Sequence, residues 1–263
     1  MTQNTFLITG ASDGIGAVYA ERLSQRGHDL ILVARRAEKL KALAAQLEKD
    51  HGIAVEVLSA DLSSAEDLEK VEVRLREDQR ITGLVNNAGI AGEGAITALD
   101  PAYVTTMINL NILAVTRLAA AIAPRLAAAG KGTIINMTSV TALMPAAFTA
   151  VYPATKAFVL AFTEALQAQL SPSGVRVQAV LPGITRTAIW EEERLDAIPA
   201  AMVMDVHDMV DAALAGLDLG EALTIPSLPD TVDLENFLAA RAALRPNLSH
   251  ALAASRYRAG RTE

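Results

Sequence analysis

A tyrosine and a lysine stand four residues apart in "AVYPATKAF", residues Ala150 to Phe158, with a proline directly after the tyrosine. On a helix, side chains at i and i+4 share one face about 5 to 6 Å apart, so Tyr152 and Lys156 would offer a phenol and an ammonium to one small site. A free phenol ionises only near pH ~10, and adjacent positive charge favours the phenolate, so such a pair is a candidate acid/base device. The same interval also occurs on solvated helix faces, and spacing alone does not separate the two readings. Pro153 lacks an N–H and disfavours helical geometry at the residue before it, which suits a tyrosine at a helix entrance.

The elements that would position this pair can be read along the chain. Short apolar runs, "TFLIT", "DLILVA", "AVEVLSA", "TGLVNN", "GTIINM", "GVRVQAVL" and "ALTIP", alternate with longer segments of helical period. That alternation predicts repeated βαβ units. Runs apolar at nearly every position suit parallel strands covered on both faces. The expected fold class is α/β: a doubly wound parallel sheet of Rossmann type, a three-layer α/β/α sandwich in a single domain over 1–263. Within it, 184–205 reads as a substrate lid and 227–263 as a C-terminal extension carrying Arg241, Arg245, Arg256, Arg258 and Arg261. The segments 101–129 and 152–170 stay apolar around more of their circumference than one sheet requires, so a homodimer or homotetramer is expected.

Composition removes several function classes. With 263 residues, 51% of them hydrophobic, the chain can bury a large core. It has no cysteine, which excludes disulfides, thiolate nucleophiles and cysteine-ligated metals. The four histidines, His28, His51, His207 and His250, lack ligand spacing, so no metal is expected. A net charge of -7 argues against a nucleic-acid partner. The chain opens without a signal-like segment and shows no clean membrane-spanning stretch, because Pro124 and Arg125 interrupt its most apolar helical run. A cytoplasmic protein without a membrane partner is the expectation.

"TGASDGIG", Thr9 to Gly16, follows the first predicted strand and opens the first helix. Gly10 suits a tight turn, while Gly14 and Gly16 allow backbone and helix to approach a pyrophosphate at the positive helix end, with Ser12, Asp13 and Ile15 beside them. An acidic residue usually follows the second strand when NAD is used. Here Ala34 is followed by Arg35 and Arg36, whose guanidinium forks suit a 2′-phosphate, so NADP(H) is favoured over NAD(H), with Arg35 the stronger candidate. Asp61 and Leu62 follow the third strand and can meet the adenine end. Ser63 and Glu66 have capping-box spacing in the same turn.

Taken in order, "TGASDGIG", "NNAG", Ser139 and "YPATK" resemble the short-chain dehydrogenase/reductase family over about residues 5 to 226. The resemblance implies an NADP(H)-dependent oxidoreductase acting on a small-molecule carbonyl or alcohol. Asn87, Ala88 and Gly89, after Asn86, would line the adenosine side. Asn111, seven residues before Leu118, would help hold a water in a proton relay. Ser139, thirteen positions before Tyr152, would hold the carbonyl oxygen that Tyr152 protonates. Lys156 would lower the tyrosine pKa together with an oxidised nicotinamide, and would hold the ribose. Pro182, Gly183, Thr185 and Thr187 would close over the nicotinamide. Asp13 departs from the pattern, since many NADP-preferring relatives carry a basic residue there.

The apolar segments after Ser139 and Gly183 predict a hydrophobic substrate pocket formed by Val140, Thr141, Met144, Ile184, Ile189 and Trp190. The expected reaction interconverts a hydrophobic ketone or aldehyde and its alcohol. Two alternatives stand beside it: a non-catalytic NADP(H)-binding sensor, and a 3-oxoacyl thioester reductase.

Overall fold

The computed structural model describes residues 4–92, 95–147, 149–187 and 195–258. Two compact units divide the chain, Met1–Ser227 and Leu228–Glu263.

The first unit holds seven strands: β1 (Thr5–Thr9), β2 (Asp29–Ala34), β3 (Val55–Ser59), β4 (Ile81–Asn86), β5 (Gly132–Met137), β6 (Val175–Val180) and β7 (Leu223–Thr224). They form one parallel sheet in the order β3-β2-β1-β4-β5-β6-β7. Helices cover both faces: α1 (Gly14–Gln25), α2 (Ala37–His51), α3 (Ala65–Glu77), α4 (Pro101–Ile108), α5 (Val115–Ala129), α6 (Val151–Leu170) and α7 (Val206–Leu219). This is the doubly wound Rossmann-type sandwich that the alternating runs predict.

Strand side chains alternate between the two faces, and both faces are covered, which explains why the runs are apolar at most positions. Phe6, Ile8, Leu30 and Leu32 join Tyr19, Leu23, Leu40 and Met209 in one core layer. Leu7, Ile31 and Val33 join Leu68, Val71, Leu118 and Ile122 in the other. A Cβ at Gly83 would collide with the buried ring of Phe6 on the neighbouring strand β1. Gly83→Ala is therefore expected to destabilise the protein by about 1 to 3 kcal/mol, read as a lower urea midpoint at unchanged slope.

Two local expectations are corrected. Helix α3 is capped at Ser64, not through a Ser63–Glu66 box. Instead the Asp61 carboxylate accepts from Ser63 N at 3.0 Å and Ser63 Oγ at 2.6 Å, and Asp67 accepts from Asp61 N at 2.9 Å. Asp61 is thus already occupied in shaping its turn. The second correction concerns the apolar helix, because Pro101–Ala129 is continuous over 29 residues and is long and apolar enough, by length and composition, to cross a membrane. Its apolar side is used in the core: Leu118, Ala119, Ile122 and Leu126 are buried, and Arg117 pairs with Glu72 of α3.

The helix stays continuous through a π-helical turn, Asn109–Ala114, between α4 and α5. Such turns turn side chains out of α-helical register. The second unit contains helix α8 (Val232–Ala243), with Thr231 Oγ1 donating to Glu235 at 3.0 Å, followed by 3₁₀ turns at Arg245–Asn247 and Ser255–Tyr257. Of the arginines expected there, Arg261 lies outside the described residues.

Candidate active site

Strand order reverses between β1 and β4, and at the carboxyl ends of these strands a cleft of about 1740 Å³ opens. This is where an open α/β sheet leaves a crevice for a ligand. Gly10 and Gly14 line it with φ of +68° and +53°, conformations that side chains rarely adopt. Gly16 is not on the cleft wall; a Cβ there would press on the Gly10 carbonyl and lie 2.6 Å from Asn87 Nδ2. It lets α1 approach the sheet closely. Ser12, Asp13 and Ile15 line the same end, and the Asp13 carboxylate accepts from Gly14 N at 2.9 Å to cap α1.

Thr9 links the ends of β1 and β4. Its Oγ1 accepts from both Asn87 N and Ala88 N at 3.0 Å, while Asn87 Nδ2 donates to Thr9 O at 3.0 Å. Asn87, Ala88 and Gly89 are thereby held along the cleft, which Arg35, Arg36, Asp61 and Leu62 also line. Two backbone turns open only to glycine, a helix N-terminus and two guanidinium groups fit a dinucleotide. Arg35, Arg36 and the first turn of α1 would hold its phosphates, and Pro182, Gly183, Thr185 and Thr187 also line the cleft, Thr187 lying against Gly14.

Tyr152 is the second residue of α6 and Pro153 the third, so the missing N–H falls in a first turn that has no intrahelical partner for it. Ser139 begins a 3₁₀ turn at the end of β5, and its Oγ accepts from Thr141 N at 3.2 Å. The Ser139 hydroxyl lies near enough to the Tyr152 phenol to act on its ionisation. Lys156 is buried, donates from Nζ to Met137 O at 3.0 Å, and sits 5.7 Å from the centre of the Tyr152 ring. All three line the cleft. The i, i+4 pair therefore faces a site.

Burial dominates the electrostatics of the pair. It raises the Tyr152 pKa, with the nearby Ser139 hydroxyl opposing it. It lowers the Lys156 pKa to about 8. Desolvation penalises the charged form of both groups, so each favours neutrality.

Asn111 is fully buried on the π turn and off the cleft wall. Nδ2 donates to Ile90 O at 2.9 Å and Thr155 Oγ1 at 3.1 Å, and Oδ1 accepts from Ile90 N at 2.9 Å. Both amide protons are committed, so the side chain fastens the segment after Gly89 to α6. Thr155, which sequence reasoning missed, completes the link by donating to Tyr152 O at 2.8 Å. Thr138, also missed, donates to Lys156 O at 2.7 Å.

Of the expected substrate residues, Val140, Thr141 and Ile184 line the cleft. Met144 does not; it is exposed on the turn beyond Ser139. Ile189 and Trp190 lie outside the described residues. The two ends of the expected lid are zipped together, with Met204 N donating to Ile184 O and Arg186 N to Met204 O, both at 2.9 Å. Ala91, Gly92, Ala95, Ile96 and Thr149 are further lining residues that no sequence motif marked, and Met202 of the expected lid segment lines the cleft as well.

A dinucleotide crevice with a serine–tyrosine–lysine set on its wall defines an oxidoreductase that uses a nicotinamide coenzyme. The sequence model of the short chain dehydrogenase family matches residues 4–197, and the chain belongs to the short-chain dehydrogenase/reductase family. A short-chain dehydrogenase from Sphingobium yanoikuyae, solved in complex with NADPH, is 49% identical with a TM-score of 0.93, covering 97% of this chain and 100% of that one. The bulky-bulky ketone specific alcohol dehydrogenase from Comamonas testosteroni is 43% identical with a TM-score of 0.91, covering 98% and 99%. The very-long-chain 3-oxoacyl-CoA reductase-A of Danio rerio is 36% identical over 69% of this chain, and the match spans only 58% of that protein.

Proposed function

We propose that this chain is an NADP(H)-dependent carbonyl reductase and alcohol dehydrogenase for hydrophobic ketones with sizeable groups on both sides of the carbonyl. The observation that carries the reaction is the meeting of Ser139, Tyr152 and Lys156 on the wall of one cleft, with the lysine ammonium 5.7 Å from the centre of the tyrosine ring. The substrate class is supported by small residues, Ala91, Gly92, Ala95 and Ala150, on the wall beside apolar Ile96, Ile184 and Met202, and by likeness to the Comamonas enzyme.

NADPH, when bound, supplies the hydride. Ser139 Oγ holds the carbonyl oxygen, and Tyr152 O–H delivers a proton to it as negative charge develops. Because burial raises its pKa, Tyr152 remains a protonated acid at neutral pH. Lys156 places a positive charge beside the phenol and is available to hold the ribose.

The curated relatives favour a second reading, a 3-oxoacyl-CoA reductase. Against it, Asp205 and Asp208 line the cleft, and its only lining cations among the described residues are Arg35, Arg36 and Lys156, which the coenzyme and catalysis would occupy. The test is NADPH oxidation across ketones, aldehydes, diketones and 3-oxoacyl-CoA thioesters. Ketones with apolar groups on both sides are expected to give the highest kcat/KM; a preference for the thioester would reverse the assignment. No turnover anywhere in the panel, with NADPH-dependent association with another protein, would favour the sensor.

For the coenzyme, replacing Ala34 with Asp and Arg35 with Ser is expected to weaken NADPH binding roughly ten- to a hundredfold relative to NADH, the loss of one charge-assisted contact. An unchanged affinity ratio would remove Arg35 from the phosphate site. A cytoplasmic homodimer or homotetramer belongs to the same proposal. Ile108, Leu113 and Phe158 leave large apolar surfaces exposed on the π-turn helix and α6, and light scattering that gave a monomer would reject the oligomer.

A further inference from the structure

An acidic residue in the glycine-rich loop is an obstacle to any coenzyme carrying a 2′-phosphate, and the structure suggests how it is overcome. Asp13 is needed where it stands, since its carboxylate caps α1 through Gly14 N. The same carboxylate accepts from Lys39 Nζ at 2.9 Å and lies 3.5 Å from Arg36 Nη2. Arg36 is also held to the loop, donating from Nε and Nη2 to Ser12 Oγ at 3.2 and 2.9 Å. Ser12, Asp13, Arg35 and Arg36 all line the cleft, whereas Lys39, in the first turn of α2, does not.

We propose that Lys39 is a specificity-determining residue for the coenzyme, acting through Asp13. By pairing with the loop carboxylate it cancels a charge that would repel the 2′-phosphate, leaving Arg35 and Arg36 to meet that phosphate with net positive charge. The inference rests on the NADP(H) reading above. It explains how an acidic cap can stand in a loop beside a 2′-phosphate: the helix cap is kept, and the positive charge is returned from α2. The pair is partly exposed, so the effect is of moderate size and screened by salt. The strong direct pairing with Lys39 keeps Asp13 ionised, its pKa being lowered from the ordinary carboxylate range.

The test is a double-mutant cycle read by fluorescence titration of NADPH and NADH binding, without turnover. Lys39→Met is expected to weaken NADPH binding roughly three- to tenfold at low salt and to leave NADH unchanged. Asp13→Asn, which keeps an oxygen for the cap, is expected to change NADPH affinity less than about twofold in the wild type, yet to restore most of the loss in the Lys39→Met background. Such non-additivity is the signature of Lys39 acting through Asp13. Additive effects, or a Lys39→Met variant with wild-type NADPH affinity, would overturn the inference while leaving the coenzyme reading intact. A wild-type protein that binds NADH as tightly as NADPH would overturn the coenzyme reading itself, and this inference with it.

Discussion

Tyr152→Phe is expected to lower kcat for ketone reduction by about 10²- to 10⁴-fold, the range that a positioned general acid contributes. The ring remains in place at the start of α6, so packing should be preserved, and Lys156 keeps its hydrogen bond to Met137 O. NADPH affinity, measured by fluorescence titration, should stay within about twofold, because only a hydroxyl directed at the substrate oxygen is removed. The fall should appear equally in kcat and kcat/KM, as expected for an interaction made in the transition state. A phenylalanine variant retaining wild-type turnover would mean that another group supplies the proton.

Lys156→Met should abolish turnover and, in the absence of coenzyme, make the protein more stable at pH 7. Lys156 is buried and its pKa is lowered to about 8, so the folded state carries its charge at a cost of about 3 kcal/mol relative to the unfolded chain. Methionine keeps most of the methylene packing but leaves Met137 O without its partner, which returns about 1 kcal/mol of that gain. A net gain of about 2 kcal/mol is expected from urea unfolding.

The pH dependence separates this cause from general packing. Below about pH 8 both folded and unfolded states bind the proton, and the full penalty is present. Between about 8 and the ordinary lysine value the unfolded chain binds the proton and the folded protein does not, so this residue makes stability rise with pH. The rise should vanish in Lys156→Met. Ketone reduction should fall as pH passes above about 8 in the wild type, when the ammonium beside the phenol is lost. A methionine variant less stable than wild type at pH 7 would show that the buried charge is compensated.

Much of the molecule was legible in local sequence because local physics determines it. Each strand of the sheet coincides with one of the seven apolar runs, β4 starting one residue before its run, since strands covered on both faces must be apolar at most positions. Glycines 10 and 14 are required by backbone angles that other residues rarely adopt. Tyr152, Lys156 and Ser139 were found because helical spacing and the ordered motifs both pointed to them, and they meet on one wall. The Ser63–Glu66 cap failed because Asp61 and Asp67 offered the same turn a competing set of acceptors.

Elsewhere the deciding contacts come from residues far apart in sequence. Thr155 reads as an ordinary helix residue until the π turn brings Asn111, 44 positions earlier, within 3.1 Å of its hydroxyl. Lys39 reads as a solvated helix charge until α2 packs beside α1 and carries it to Asp13. Met144 shares the apolar character of its neighbours, yet the turn after Ser139 points it to solvent. The sequence by itself determined the doubly wound sheet and the glycine-rich loop, because each follows from period or backbone conformation within a few residues, and the order of its motifs marked the candidate acid/base pair. Only the tertiary structure decided the charge balance at Asp13, the commitment of the Asn111 amide and the pKa directions of Tyr152 and Lys156. Hydrogen-bond partners and desolvation are set by what the fold brings near, and a one-dimensional pattern carries no measure of either.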